Sequence, residues 1–125
     1  MNRIFGNSMM LSEKSLDYLW YKQSVTLTNI ANNETPGYKA KYVTFEDVYR
    51  NRLLAASGNS RDVRNAIDRS KWTVKESETA SNRADGNNVV ADTEQAELAR
   101  TALQYQYVIQ SLNSDITRLS TVIKG

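Results

Sequence analysis

Apolar residues recur with the period of a helix near both ends of the chain. In the C-terminal part the spacings of four and three alternate without a break, which is the a/d pattern of a coiled coil. The pattern predicts a long helix over residues 93–125, with Asp92 as its N-cap, Glu94 in its first turn, and Gln95 completing a capping box. The predicted seam comprises Leu98, Ala102, Tyr105, Ile109, Leu112, Ile116, Leu119 and Ile123.

A second helical pattern predicts a helix from about Ser8 to Asn32. Its seam has one polar member, Gln23, whose side chain needs a partner across the seam and could fix the register. Because the two helices stand at opposite ends of the chain, we expect a mainly α fold in which they pack as an antiparallel coiled-coil hairpin. The N-terminal seam comprises Met9, Leu16, Trp20, Gln23, Leu27 and Ile30.

The segment between the helices differs in character, because charged residues are dense in it. We expect residues 1–37 and 93–125 to form one discontinuous core domain, with residues 38–92 as an inserted segment of short strands, loops and a short helix. The alternation over residues 38–42 predicts a short strand or extended arm, and Trp72 with Val74 predicts another. Residues 45–56 have a helical period, whereas residues 59–69 are polar with little to bury.

The faces of the C-terminal helix outside the seam are rich in Gln, Asn, Ser, Thr and Tyr instead of Glu and Lys. Uncharged polar faces can be buried at a lower desolvation cost than charged ones. We therefore expect the hairpin to pack against further helices from other copies or related subunits. The alternative is a solvated helix face that happens to use uncharged residues.

Composition excludes several classes of function. The formal net charge is only +2, which is too weak to favour nucleic acid as the main partner, and the chain contains neither cysteine nor histidine. Asp85-Gly-Asn-Asn88 resembles the start of a calcium loop, but Val90 and Ala96 stand where such a loop needs Gly and Glu. We therefore expect no enzymatic activity, no metal and no cofactor. The apolar runs are too short to span a bilayer, and no cleaved signal peptide is expected.

Two motifs carry a family resemblance. The sequence Asn29-Ile30-Ala31-Asn32, followed by Thr35-Pro36-Gly37-Tyr38-Lys39, resembles the N-terminal signature of the bacterial flagellar axial proteins, which build the rod and the hook. The sequence Asp85-Gly86-Asn87-Asn88-Val89, with Asp92 and Glu94 after it, resembles the C-terminal signature of rod proteins. Similar proteins have an acidic residue after Asn-Asn-Val, where this chain has Val90-Ala91.

The resemblance implies a structural subunit of the proximal rod of the flagellar basal body. Such subunits are exported unfolded through the type III apparatus without a cleaved signal and polymerise in the periplasm as a tube of packed helices. The implied partners are copies of the chain, other rod proteins, a FliE-like adaptor at the rod base, and the MS-ring and export gate. No nucleic acid and no small-molecule substrate is implied. The rival functions are a soluble coiled-coil adaptor and another rod or junction protein of the same family.

Two roles remain open for the motifs. The N-terminal motif is predicted to contact a neighbouring subunit, and the alternative is a helix cap and turn within one chain. Phe45 and Tyr49 match a weak export pattern, a Phe followed four residues later by an apolar residue. The alternative for this pair is one packed face of a short helix.

Overall fold

The computed structural model of the chain describes residues 2–45, 59–69 and 71–124. Within these residues the fold is mainly helical, as predicted, with long helices near both ends and a small antiparallel sheet. Tyr49 and most of the short helix predicted over residues 45–56 lie outside the described residues. In chain order the elements are α1 (Asn2–Ala31), β1 (Lys41–Thr44), α2 (Ser60–Arg69), β2 (Thr73–Glu76) and α3 (Ala91–Lys124).

The two long helices run antiparallel and contact each other along their length. Near the end of α1, the Asn29 side chain donates a hydrogen bond to the Glu94 carboxylate at 3.0 Å. Two turns earlier, the Lys22 ammonium lies 3.4 Å from the Glu97 carboxylate. As the residue number falls along α1, the partner's number rises along α3, which defines a hairpin of the two helices.

Three small hydroxyl residues are buried on the two long helices. Ser12 and Thr26 are buried on α1, and Thr101 is buried on α3. The Thr26 hydroxyl donates to the Lys22 carbonyl at 2.9 Å, and the Thr101 hydroxyl donates to the Glu97 carbonyl at 2.7 Å. Each buried threonine is therefore satisfied within its own helix.

The facing surfaces are consequently rotated from the predicted seam. Four members of each predicted seam are half-buried: Met9, Leu16, Gln23 and Ile30 on α1, and Leu98, Tyr105, Leu112 and Leu119 on α3. The prediction that the other members pack between the two helices of one chain is wrong, because they are exposed: Trp20, Leu27, Ala102, Ile109, Ile116 and Ile123. A pattern of apolar residues alone does not predict that the polar residues Ser12, Thr26 and Thr101 are buried.

The helix bounds also differ from the prediction. Helix α1 begins at Asn2, six residues before the expected start at Ser8. Helix α3 begins at Ala91, with the Glu94 amide bonded to the Val90 carbonyl at 3.0 Å, so Val90 occupies the N-cap position. Asp92 is thus not the N-cap and forms no capping box with Gln95. It lies in the first turn, where its carboxylate complements the helix dipole.

Strand β1 and helix α2 pack on α1 and bury a small core. Strand β1 pairs with β2 in antiparallel register, with Val43 opposite Val74. Phe45 is only 4% exposed, and its ring centroid lies 5.0 Å from that of Tyr18. The core cluster comprises Tyr18, Leu19, Val43 and Phe45, with Val25, Trp72, Tyr105 and Val108 packed against it.

Helix α2 buries more than its polar sequence suggests. Asn59 precedes the helix, and its side-chain oxygen accepts a hydrogen bond from the Arg61 amide at 3.0 Å, as an N-terminal cap does. Ile67 is only 2% exposed, and Ala66 beside it is also buried. The expectation that residues 59–69 have little to bury holds for most of the described side chains, but Ala66 and Ile67 are buried and α2 packs on α1.

Candidate functional site

The N-terminal motif ends α1 and turns the chain back. The Asn32 amide still bonds to the Thr28 carbonyl at 3.1 Å, and the Tyr38 amide then bonds to the Thr35 carbonyl at 3.2 Å. Pro36 and Gly37 are the central residues of this second turn, and Gly37 has a φ of 72°. Proline followed by a residue with positive φ is the pattern of a type II turn, which requires glycine at that second position.

The C-terminal motif lies directly against this turn. The Gly37 amide donates to the Asp85 carbonyl at 2.7 Å, and the Lys39 ammonium donates to the Gly86 carbonyl at 2.7 Å. Gly86 also has a positive φ, of 77°, and a Cβ placed on it would lie 3.8 Å from the Gly37 Cα. The two motifs, far apart in the sequence, thus form one site, which we call the motif junction (residues 29–41 with residues 81–89).

Asn87 is the centre of the motif junction and is fully buried. Its side-chain amide nitrogen donates to the carbonyls of Asn32 at 2.8 Å, Asn33 at 3.1 Å and Thr35 at 2.8 Å. Its side-chain oxygen accepts from the Val89 amide at 2.8 Å. The end of a helix leaves carbonyl groups without intrahelical partners. This one side chain bonds to three carbonyls at the end of α1 and in its turn, of which those of Asn32 and Thr35 also accept backbone amides.

Asn29 connects α1 to both the sheet and α3. Its amide nitrogen donates to the Lys41 carbonyl at 2.7 Å and to Glu94 at 3.0 Å. Its oxygen accepts from the Lys41 amide at 2.9 Å and from the Tyr38 hydroxyl at 3.3 Å. A primary amide has two donor hydrogens and two acceptor lone pairs, so Asn29, which is 1% exposed, is fully satisfied within its own chain.

Asn88 extends the sheet beyond the end of its ladder. Its oxygen accepts from the Ala40 amide at 2.6 Å, and its nitrogen donates to the carbonyls of Ser77 at 3.1 Å and Thr79 at 3.0 Å. The Ser77 amide bonds directly to the Ala40 carbonyl at 2.7 Å, and the Asn88 side chain bridges the Ala40 amide to the Ser77 carbonyl in place of the reciprocal backbone bond. This arrangement holds the inserted segment against the start of α3.

The electrostatics of the motif junction are those of a structural site. Burial, followed by the nearby charges of Glu94 and Glu76, raises the pKa of Tyr38 above its ordinary value of 10.0. Arg83 pairs with Asp85 at 3.3 Å and donates to the Asn33 side chain at 3.2 Å. Among the described residues there is no group of three or more acidic side chains that could hold a metal ion. Backbone carbonyls and amides take most of these bonds, so the chemistry of the site is to fix chain geometry.

Comparison with known proteins supplies the family. A scan against protein-family models finds no match. The flagellar basal body rod protein FlgB of Bacillus subtilis is 34% identical to this chain, over 98% of the chain and 97% of that protein. FlgB of Aeromonas hydrophila is 26% identical over 97% of the chain, and FlgB of Salmonella typhimurium is 22% identical over 94% of it.

The chain belongs to the FlgB family. Because the alignment with the Bacillus subtilis protein covers nearly all of both sequences, it includes the segment between the two motifs. The chain is therefore a structural protein of the flagellar basal body rod and not an enzyme, as the two motifs predicted. No helix among the described residues is long and apolar enough to span a membrane.

The structure gives the FlgB-family motifs a role within one chain. Six motif residues form side-chain hydrogen bonds with other groups of the same molecule: Asn29, Asn32, Tyr38, Lys39, Asn87 and Asn88. Ala31, Thr35, Pro36 and Gly37 remain exposed. Sequence reasoning missed Arg83, which bonds to Asn33 across the junction, because nothing in a single sequence links these two positions.

Outside the motif junction, the FlgB-family chain exposes an apolar surface on its helix hairpin. The residues that follow the facing positions Leu19, Thr26, Thr101 and Val108 are rotated from them by about 100°. Because the helices are antiparallel, the same rotation brings these residues to one side of the hairpin. We call this surface the apolar stripe; it comprises Trp20 and Leu27 on α1, and Ala102, Ile109, Ile116 and Ile123 on α3.

Proposed function

We propose that the apolar stripe is the surface through which this FlgB-family chain assembles into the rod with copies of itself and with other rod proteins. The observation that carries the proposal is exposure: Trp20 is 62% and Ile123 is 76% exposed. A contiguous exposed apolar surface on a single chain marks an interaction site. Covering the stripe with neighbouring helices would complete coiled-coil packing around α1 and α3, because its residues follow the heptad spacing.

The proposal extends to how the chain is exported and to which components it lies next to in the basal body. The chain passes through the type III apparatus unfolded and orders in the periplasm, where its inner neighbours are a FliE-like adaptor, the MS-ring and the export gate. Phe45 supports this order of events, because it is buried against Tyr18 in the folded chain and accessible only before folding. A recognition element at Phe45 would act first, and the same side chain would later join the core.

Replacement of one stripe residue by a charged one tests the proposal. In cells that depend on this protein for motility, Ile109→Asp should abolish swimming in soft agar and remove the protein from purified basal bodies. A carboxylate at an interface that excludes water lacks a partner, and burying it is costly. The variant should still be secreted, which separates failed assembly from failed export.

The matched control places the same charge elsewhere on α3. Thr93 is exposed in the first turn, where an added carboxylate agrees with the helix dipole, so Thr93→Asp should swim normally. Normal motility of the Ile109→Asp cells would show that the stripe is not an assembly surface.

A further inference from the structure

Helix α3 carries a second exposed apolar surface. Leu103 is 68% exposed and Tyr107, one turn later, is 73% exposed. Thr101 is fully buried, and Leu103 follows it by about 200° of rotation, so Leu103 lies on the opposite side of α3 from this buried position. This surface, the outer patch (Leu103, Gln106, Tyr107 and Gln110), is therefore separate from the apolar stripe.

A partner can cover the outer patch without burying an unpaired charge. No charged residue occurs between Thr101 and Ser114, so a second helix seated there would displace water only from apolar and amide groups. Arg100 and Arg118 flank the patch at either end, and both are exposed. Arg100 is paired with Glu97 at 3.6 Å, whereas no ion pair is recorded for Arg118 among the described residues.

The apolar stripe has the complementary charge. Glu13 lies seven residues before Trp20, in the same row of α1, and at about the level of Ile109 on α3. It is exposed, and no ion pair is recorded for it among the described residues. The stripe thus presents apolar residues with a carboxylate beside them, and the outer patch presents apolar residues with a guanidinium beside them.

We propose that the apolar stripe of one copy packs on the outer patch of a second copy, with Glu13 facing Arg118 across the contact. The proposal rests on the assembly function and names the partner surface. Ala102 lies at about the level of Trp20, where the stripe passes from α1 to α3, so its small side chain leaves room for the second helix. Because the two surfaces differ and lie on different sides of the hairpin, each added copy leaves one stripe and one patch free. Such a heterologous contact grows into an open assembly instead of closing as a dimer.

Photo-cross-linking in assembled basal bodies tests the contact. Tyr107→p-benzoylphenylalanine, expressed in cells and irradiated, should give an adduct of roughly twice the 14.2 kDa chain mass. Mass spectrometry should place the other end of the cross-link within the stripe of a second copy, near Trp20 or Leu27. The same substitution at Leu103 should reach the same surface, and at Thr79, an exposed loop residue, should not.

Several outcomes would overturn the proposal. These are an adduct with a different rod protein, a cross-link from Tyr107 to Tyr107, a cross-link outside the stripe, and no adduct from either helix position in basal bodies that contain the protein. The wild-type protein's presence in purified basal bodies is measured in parallel. Its absence there would refute the assembly function itself, so the two failures are distinguishable.

Discussion

The motif junction and the apolar stripe differ in what each leaves unsatisfied. At the junction, Asn29 and Asn87 are buried, and their side-chain bonds go to groups of the same chain. Along the stripe, large apolar side chains such as Trp20 and Ile123 remain in solvent. The junction needs no neighbour to be complete, whereas the stripe gains free energy only when another molecule covers it.

The polar motifs and the helical apolar pattern of the sequence therefore act at different levels of structure. The polar motif fixes the geometry of one subunit, because buried amides tolerate only one arrangement of donors and acceptors. The helical apolar pattern serves two interfaces, one inside the subunit and one, as proposed, between subunits. Variants should therefore separate: junction changes should lower the free energy of unfolding, and stripe changes should leave it nearly unaltered.

The largest loss of stability is expected at Asn87. Asn87→Ala removes the donor to three carbonyls and the acceptor for the Val89 amide, all in a fully buried position. The Asn32 and Thr35 carbonyls keep backbone amide partners, whereas the Asn33 carbonyl and the Val89 amide lose theirs. At about 1.5 kcal/mol for each of these two groups, the free energy of unfolding should fall by about 3 kcal/mol. Urea unfolding followed by circular dichroism measures this change.

A neighbouring asparagine provides the control for Asn87. Asn82 is exposed, so Asn82→Ala should change the free energy of unfolding by less than about 0.5 kcal/mol. Equal effects of the two substitutions would show that the junction contributes nothing particular to stability.

Two glycines should respond to alanine with opposite signs. Gly37 has a φ of 72° with open space around it, so Gly37→Ala should destabilise by about 1 kcal/mol through backbone strain alone. Gly6 lies within α1, and an added Cβ would meet only the Arg64 guanidinium, at 3.9 Å. Gly6→Ala should therefore stabilise the chain by about 0.5–1 kcal/mol. Thermal unfolding of both variants decides the matter, and a stabilising Gly37→Ala would contradict the proposed role of the turn.

The sequence allowed prediction of the long helices, their pairing and the two short strands, because apolar periodicity and turn residues are local signals. It failed at the facing surfaces, where Ser12, Thr26 and Thr101 are buried while Trp20 is exposed. A periodic pattern shows that two rows of a helix are apolar but not which row a partner within the same chain covers. The contacts of the Asn87 side chain with the end of α1 could not be predicted either, since they join residues more than fifty positions apart.

A smaller effect is expected at Tyr38 in alkaline solution. Its pKa is raised above 10.0 by burial and by Glu94 and Glu76, so the folded chain keeps the phenolic proton to a higher pH than the unfolded chain. This contribution to stability is complete below pH 10 and is lost as the pH rises through the raised pKa. Relative to Tyr38→Phe, the wild type should therefore lose stability above about pH 10. Parallel pH dependence of the two proteins between about pH 9 and 11 would refute the assignment.

The smallest change in stability is expected at the apolar stripe. Ile123 is 76% exposed in the single chain, so Ile123→Ser should shift the free energy of unfolding by less than about 0.5 kcal/mol. Leu19→Ser makes a comparable change in the buried row and should cost about 3 kcal/mol, through lost packing and a buried hydroxyl. Chemical unfolding of both variants, combined with their recovery in basal bodies, separates the two surfaces. If Ile123→Ser leaves stability intact yet reduces incorporation, the stripe acts between molecules; if it unfolds the chain as Leu19→Ser does, the stripe belongs to the subunit's own core.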